Sequence, residues 1–304
     1  MKKASIKPFK NMHRIVILLS CFLILFQCHS TEPYMESIIS DNSFTYDLNN
    51  PESKWELPVE LREISGLSYL SSGELACIQD ENGYIYLLDF EKKKITKKIH
   101  FGKDGDYEGI EVINDLAYIL RSDGRLFVLN LHDKKPVVKK IKTPLSKKNN
   151  TEGLGFDPSG NELLIACKGK AGLQKDDLKG QAIYAFDIEQ NTLSDSPKYL
   201  IKTKAIKKAL DNHNLNTDKH TPYRFSGIAV HPVTNQIYII GTVGKLIIII
   251  DHNGNIKTLA AMHPKLFVQP ESICFNPAGD LFIASEGKYG KGYILKFTPK
   301  QTIP

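Results

Sequence analysis

The chain is predicted to be all-β: a β-propeller of five four-stranded blades, with six as the alternative, closed by an N-terminal strand in the last blade. Three observations predict this. A short motif recurs as EISGLSYL, DYEGIEVI, NTEGLGFD, RFSGIAVH and QPESICFN, aligning Ser65, Glu108, Glu152, Ser226 and Glu271 at spacings of 43, 44, 74 and 45. Each copy leads into a turn and further strand-like runs, several joined by Asn-Gly or Asp-Gly, which favour two-residue hairpins. The fifth copy stops after YILKFTP, and an unpaired strand candidate, KWELPVEL at 54–61, precedes the first. Four short strands at a period of about 40–45 residues mark a propeller blade, because one sheet cannot cover both its faces until neighbours stack on it.

The elements follow in chain order. Lys2, Lys3, Lys7, Lys10 and Arg14 precede the apolar run Ile15–Phe26. That run is shorter than the roughly 20 residues a bilayer span needs, so residues 1–28 read as an export signal. It ends at Cys28, which resembles the lipidated cysteine of a bacterial lipoprotein, although Gln27 stands where a small residue is usual. Cys21, after LLS, is the alternative anchor. Residues 29–50 are polar and read as a tether, and 51–304 as the propeller domain. Within the domain, PSGNELLIAC and PAGDLFIAS place Pro and Gly at turn positions i+1 and i+3. The spacing of 74 exceeds its neighbours by about 30, and KTKAIKKALDNH in that insertion, roughly 203–222, patterns as a short helix.

Composition narrows the function classes. With 41% hydrophobic and 24% charged residues the chain is an ordinary globular protein. The net charge is +6, and lysines cluster in EKKKITKK, DKKPVVKKIKTPLSKK and IKTKAIKK. These read as solvated outer strands and loops, or as a weak attraction to anionic lipid or polysaccharide. No aromatic residues interleave them as nucleic-acid binding would require. Cys77, Cys167 and Cys274 lie in apolar runs without a CxxC, so buried thiols are expected, with a single disulfide as the alternative.

The chemistry concentrates at the first strands, which line a propeller's channel. Glu108, Glu152 and Glu271, with Ser65 and Ser226, form a ring at one mouth. Glu63, Asp106, Asn150, Arg224 and Gln269 form a polar tier two residues upstream. Converging carboxylates repel unless a cation neutralises them. Oxygen donors without histidine suit calcium better than zinc. The expected ligands are therefore Glu108, Glu152 and Glu271, supported by Asp106, Asn150 and Gln269. A water-filled mouth with Arg224 pairing one acid is the alternative. A second set, Asp80, Arg121, Lys168, Thr242 and Glu286, ends the second strands and is expected to face the opposite mouth or the blade tops. Glu111 is expected at a blade interface or in solvent, near a lysine. Walker A, HExxH and GxSxG motifs are absent.

DYEGIE, NTEGLGF, FSGIAVHP and QPESICFNP resemble the SdiA-regulated family, the YjiK/CarP-like β-propellers, over roughly residues 55–300. The resemblance implies an exported or membrane-attached bacterial propeller with calcium in its channel. CKGKAGLQKDD at 167–177 departs from the acidic loop the family would place there. The function expected is a calcium-binding binding or scaffold module, monomeric, anchored to the membrane of the bacterial envelope on its periplasmic or surface face, with a small-molecule or protein ligand. The alternative is a metal-dependent hydrolase, phytase-like or lactonase-like, for which Asp80 and Glu286 are the nameable bases.

Overall fold

The computed structural model describes residues 44–174, 176–212 and 222–300. The signal segment, Cys21, Cys28 and the tether up to residue 43 lie outside the described residues.

Five antiparallel sheets follow the five sequence repeats. Blade 1 runs Ile64–Tyr69, Leu75–Gln79, Tyr84–Asp89, Lys94–His100 from axis to rim. Blade 2 is Tyr107–Ile113, Leu116–Arg121, Leu126–Asn130, Lys139–Ile141. Blade 3 is Thr151–Asp157, Glu162–Cys167, Gln181–Asp187, with Thr192–Leu193 and Tyr199–Ile201 sharing its rim. Blade 4 is Arg224–Val230, Ile237–Val243, Leu246–Ile250, Ile256–Ala261. Blade 5 is Pro270–Phe275, Leu281–Ser285, Tyr293–Phe297, and its rim strand is Ser53–Glu56 from the other end of the chain. The closing strand pairs antiparallel with Tyr293–Phe297, from Ser53 opposite Lys296 to Glu56 opposite Tyr293.

The apolar core is divided as the stacking argument requires. Five buried clusters each fill the gap between two neighbouring blades. The cluster between blades 5 and 1 contains Trp55 of the closing strand, 5% exposed and set edge-on to Phe90. Between blades 3 and 4 the insertion forms the helix Thr203–Asn212, whose Ile206 and Leu210, one turn apart, are buried in that cluster. Cys77, Cys167 and Cys274 are buried free thiols.

Two sequence expectations change. Residues 44–50 belong to the folded domain and not to a tether. Phe44, Tyr46 and Leu48 are buried between blades 4 and 5. The Tyr46 hydroxyl donates to the Gly279 carbonyl at 2.5 Å and lies 2.9 Å from His231 Nε2. His231 Nδ1 accepts the N–H groups of Val233 and Thr234 at 3.1 Å each. Its proton is therefore on Nε2, pointing at Tyr46. The alternation of Phe, Tyr and Leu is the period-2 pattern of an extended strap with one buried face. Glu111 also differs: its Oε1 accepts from Ser68 Oγ of the neighbouring blade at 2.8 Å and from the Val112 N–H at 3.2 Å, not from a lysine.

Ring closure therefore rests on a strand with one large anchor. Trp55→Ala is expected to destabilise the protein by about 3–5 kcal/mol, measured by urea denaturation followed by circular dichroism. A loss near zero would mean that the closing strand is not anchored through this ring.

Candidate functional site: an acidic channel mouth

Each inner strand carries a β-bulge at the residue the sequence repeat aligned. Ile64 pairs with Gln79 and Gly66 with Ile78, leaving Ser65 without a partner. The same slip skips Glu108, Glu152, Ser226 and Glu271. A bulge turns a side chain out of the regular alternation. The residue after each bulge is small: Gly66, Gly109, Gly153 and Gly227, and Ser272 in blade 5. A Cβ on Gly66 would come 2.9 Å from the Ile110 nitrogen, and one on Gly109 would come 2.8 Å from Leu154 Cβ. In blades 1 to 4 the inner strands run too close for a side chain there, while blade 5 accommodates the short Ser272 and bulges at Glu271 in the same way.

The two serines use their displacement structurally. Ser65 Oγ donates to the Tyr107 carbonyl and Ser226 Oγ to the Pro270 carbonyl, each at 2.7 Å. Both bonds tie one inner strand to the next. The three glutamates are brought close enough to perturb one another. Burial is the main cause, and it pushes the Glu108 carboxyl up to about 10, helped by the charges of Glu152 and Asp106. Burial likewise pushes Glu271 up to about 8, with Lys168 opposing and Glu152 adding to the rise. Glu152 and Glu271 are only 5% and 6% exposed, so their ionisation carries a real desolvation cost.

The second-strand ends lie at this same mouth, correcting the expectation that they face the other one. The reason is antiparallel pairing: the end of a second strand meets the start of the first. Asp80 N–H donates to the Glu63 carbonyl, Ser122 to Asp106, Lys168 to Asn150 and Glu286 to Gln269, at 2.9–3.2 Å. Ser122, not Arg121, takes the equivalent place in blade 2. Arg121 is held by a two-point pairing to Asp123 at 2.9 and 2.6 Å.

Lys168, named among the second-strand ends, is the cation of this mouth, and its pairing with Glu152 is one that the expectation of an opposite mouth did not foresee. Its Nζ lies 3.0 Å from Glu152 Oε2, while Asn150 Nδ2 donates to Glu152 Oε1 at 2.7 Å. Burial still outweighs these partners, and the Glu152 carboxyl remains above its ordinary range. The loop after Cys167 is set by Asn149, whose Oδ1 accepts from the Ser146 N–H and whose Nδ2 donates to the carbonyls of Lys170 and Gly172. Arg224, the expected neutraliser, donates instead to the Lys168 carbonyl at 3.2 Å.

The predicted calcium set therefore divides. Glu152 and Asn150 are engaged with Lys168 and each other, and the Gln269 side-chain amide donates to Glu286. Among the described residues no three acidic, histidine or cysteine side chains converge on one ion position. Two observations nevertheless mark a place for positive charge. Asp80 Oδ1 is buried without a hydrogen-bond partner among the described residues. Asp106, whose Oδ2 accepts from Ser122 Oγ, adds to the charge that both Asp80 and Glu108 experience. Burial, Glu63 and Glu81 push Asp80 up to about 6. Burial, Asp80 and Glu63 push Glu286 up to about 7. Carboxylates fit a hard cation, and among the described residues Glu108, Asp106 and Asp80 form no direct salt bridge, although the Lys168 charge reaches Glu108 and the Arg121 charge reaches Asp106.

Two predictions follow from this electrostatics. Lys168→Met leaves Glu152 buried without its counter-charge and is expected to cost about 3 kcal/mol near neutral pH, read by urea denaturation. A cost within error would show that the pair contributes nothing. Glu271 titrates near 4.5 unfolded and about 8 in the fold, so folding favours its protonated form. Its contribution is fully present below about pH 4.5 and is lost as pH rises through about 8. In EDTA, Glu271→Gln should lose less stability than wild type across that window, and equal slopes would refute the assignment.

Comparison with known proteins agrees with this architecture. No curated protein matches the chain. The solved structure of Myxococcus xanthus glutaminyl cyclase superposes with a TM-score of 0.57 at 12% identity, covering 83% of this chain and 96% of that one. A luciferin-regenerating enzyme superposes with a TM-score of 0.50 at 14% identity, covering 82% and 95%. At such identities the likeness is one of fold. A profile of the SdiA-regulated family matches residues 53–289, most of the described propeller, and the chain belongs to the SdiA-regulated family.

Proposed function

We propose that the protein is a binding module whose acidic mouth takes up calcium, held at the bacterial envelope by a lipid on Cys28. The observation that carries this reading is the orphaned Asp80 Oδ1, whose carboxyl feels the charge of Asp106, which in turn acts on Glu108. Calcium accepts six to eight oxygen donors in a flexible geometry. Glu108, Asp106 and Asp80 do not converge on one position as they stand and would turn onto the ion as it enters, with Glu271 within the same field and Glu152 kept in place by Lys168 and Asn150. Bound there, calcium would supply the positive charge that lets these carboxylates stay ionised at neutral pH. A ligand carrying its own oxygen donors would then find a charged, rigid platform at the mouth.

The alternative, a metal-dependent hydrolase, draws on one observation. Asp80 lies at the same mouth as the glutamates, with a free carboxylate oxygen and a carboxyl pushed up to about 6. Such a group accepts a proton near neutral pH. Under the binding-module reading, phosphomonoester and lactone substrates are turned over no faster with calcium than without. Calcium-dependent turnover that disappears in Asp80→Asn would favour the hydrolase.

Thermal melts of the full chain in EDTA, calcium and magnesium test the calcium site directly. At 100 times its dissociation constant a bound ion adds about 2.7 kcal/mol. A rise in Tm specific to calcium is expected, lost in the double variant Glu108→Gln, Asp80→Asn. No shift, or an equal shift in the double variant, would overturn the reading.

A further inference from the structure

The lysines of this chain are distributed unevenly around the ring. From Glu91 to Lys98, at the rim of blade 1, five lysines accompany one acid. From His132 to Lys148, along the rim of blade 2 and the connection that leads from it to the inner strand of blade 3, seven lysines accompany one acid. All twelve are exposed. Among the described residues only Lys92 and Lys98 pair with carboxylates, Asp89 and Glu60. The other rims differ. The rim strand of blade 4 carries Lys257 alone, and that of blade 5 carries Lys54, paired with Glu56. Beside the rim of blade 3, Lys198 is taken up by Asp157 and Glu162, and a smaller third cluster, Lys202, Lys204, Lys207 and Lys208, lies on and just before the helix Thr203–Asn212.

Lysines on an edge strand commonly block pairing with other chains. That role is met by one or two per edge, as blades 4 and 5 show, and would apply to all five rims alike. Twelve exposed lysines on two adjacent blades, three times the number in the cluster at the helix, call for a further cause. The two rims are also physically joined, since Lys97 Nζ donates to the Leu131 carbonyl at 2.8 Å. Several ammonium groups are seated over rings: Lys98 lies 4.3 Å from the centre of Tyr84, and Lys140 lies 5.6 Å from that of Phe127. In the midst of the patch, Val137 is 84% exposed in the run KKPVVKK. An apolar tip ringed by lysines suits the boundary between lipid headgroups and acyl chains, where the ammonium groups reach outward to phosphate.

We propose that the rims of blades 1 and 2 form a docking face for an anionic phospholipid bilayer. The phosphate groups match the lysines, and Val137 enters the headgroup layer. The propeller would then lie with this edge against the membrane and its acidic mouth turned along the surface.

The test is amine acetylation of the full chain, read by mass spectrometry, on vesicles of phosphatidylcholine alone and of phosphatidylcholine with phosphatidylglycerol. The apolar segment Ile15–Phe26 enters either vesicle, so protection of individual lysines is the readout. Lysines 92–98 and 134–148 are expected to be modified about tenfold more slowly on the anionic vesicles only, with recovery in about 1 M sodium chloride. Lys202 and Lys257 should be unchanged. The triple variant Lys134→Glu, Lys135→Glu, Lys142→Glu should abolish protection at 92–98 as well. The matched variant Lys202→Glu, Lys208→Glu, Lys257→Glu should retain it. Uniform protection of all lysines, equal protection on neutral vesicles, or loss in both variants would overturn the proposal. So would protection by dissolved alginate but not by anionic vesicles, which would point to polysaccharide.

Discussion

At Gly109 the inner strand of blade 2 runs so close to that of blade 3 that a single added carbon would overlap Leu154. This approach of backbone to backbone around one axis organises the rest of the molecule. It forces one residue of each inner strand out of its ladder. It brings charge into a space where water is scarce. It also leaves the apolar side chains of each blade facing those of the next, which is where all five core clusters form. Burial and bulging are thus two outcomes of the same packing, and the polar mouth is built by the geometry that builds the core.

The two ends of the channel handle buried carboxyl groups differently. At one end Glu111 sits beneath a small cavity of about 190 Å³ lined in part by Tyr69, Phe156 and Phe275. Burial pushes it up to about 7, while Ser68 and the N–H groups of Val112 and Phe156 hold it down. Neutral dipoles are enough for one acid. At the other end several acids share one region, and dipoles cannot offset their mutual repulsion. Lys168 offsets part of it through Glu152. Its charge also reaches Glu271 and Glu108, while among the described residues Asp80 has no direct cationic partner.

Much of this was legible in the sequence, for reasons tied to particular residues. The blade count follows from local rules: turn residues such as Asn82-Gly83 and Asp123-Gly124, and the recurring Gly after Ser65, Glu108, Glu152 and Ser226. The helix Thr203–Asn212 was legible because Ile206 and Leu210 fall one turn apart. The bulged positions aligned because a small residue follows each of them, glycine in four repeats and Ser272 in the fifth. What stayed hidden depends on chain segments meeting in space. Lys168 reads as the end of a second strand, but its pairing with Glu152 shows only once Asn149 folds its loop back to the axis. The shared mouth of Asp80 and Glu63 was in fact deducible, since antiparallel strands must join end to start. Phe44, Tyr46 and Leu48 alternated openly, but the polar stretch before them masked the point at which the domain begins.

The composite fifth blade carries a consequence for how the protein comes into being. Ser53–Glu56 is among the first domain segments a ribosome makes, and its hydrogen-bonding partner Tyr293–Phe297 is among the last. Blades 1 to 4 are each continuous in the chain and can form as they emerge. The ring cannot close on any shorter product, because the velcro strand waits for a mate that synthesis delivers at the end. Until then both flanks of the growing stack stay open, with Trp55 and its neighbours uncovered. Closure of the ring, the strand pairing of greatest sequence separation in the domain, is thereby placed after the four continuous blades have been made.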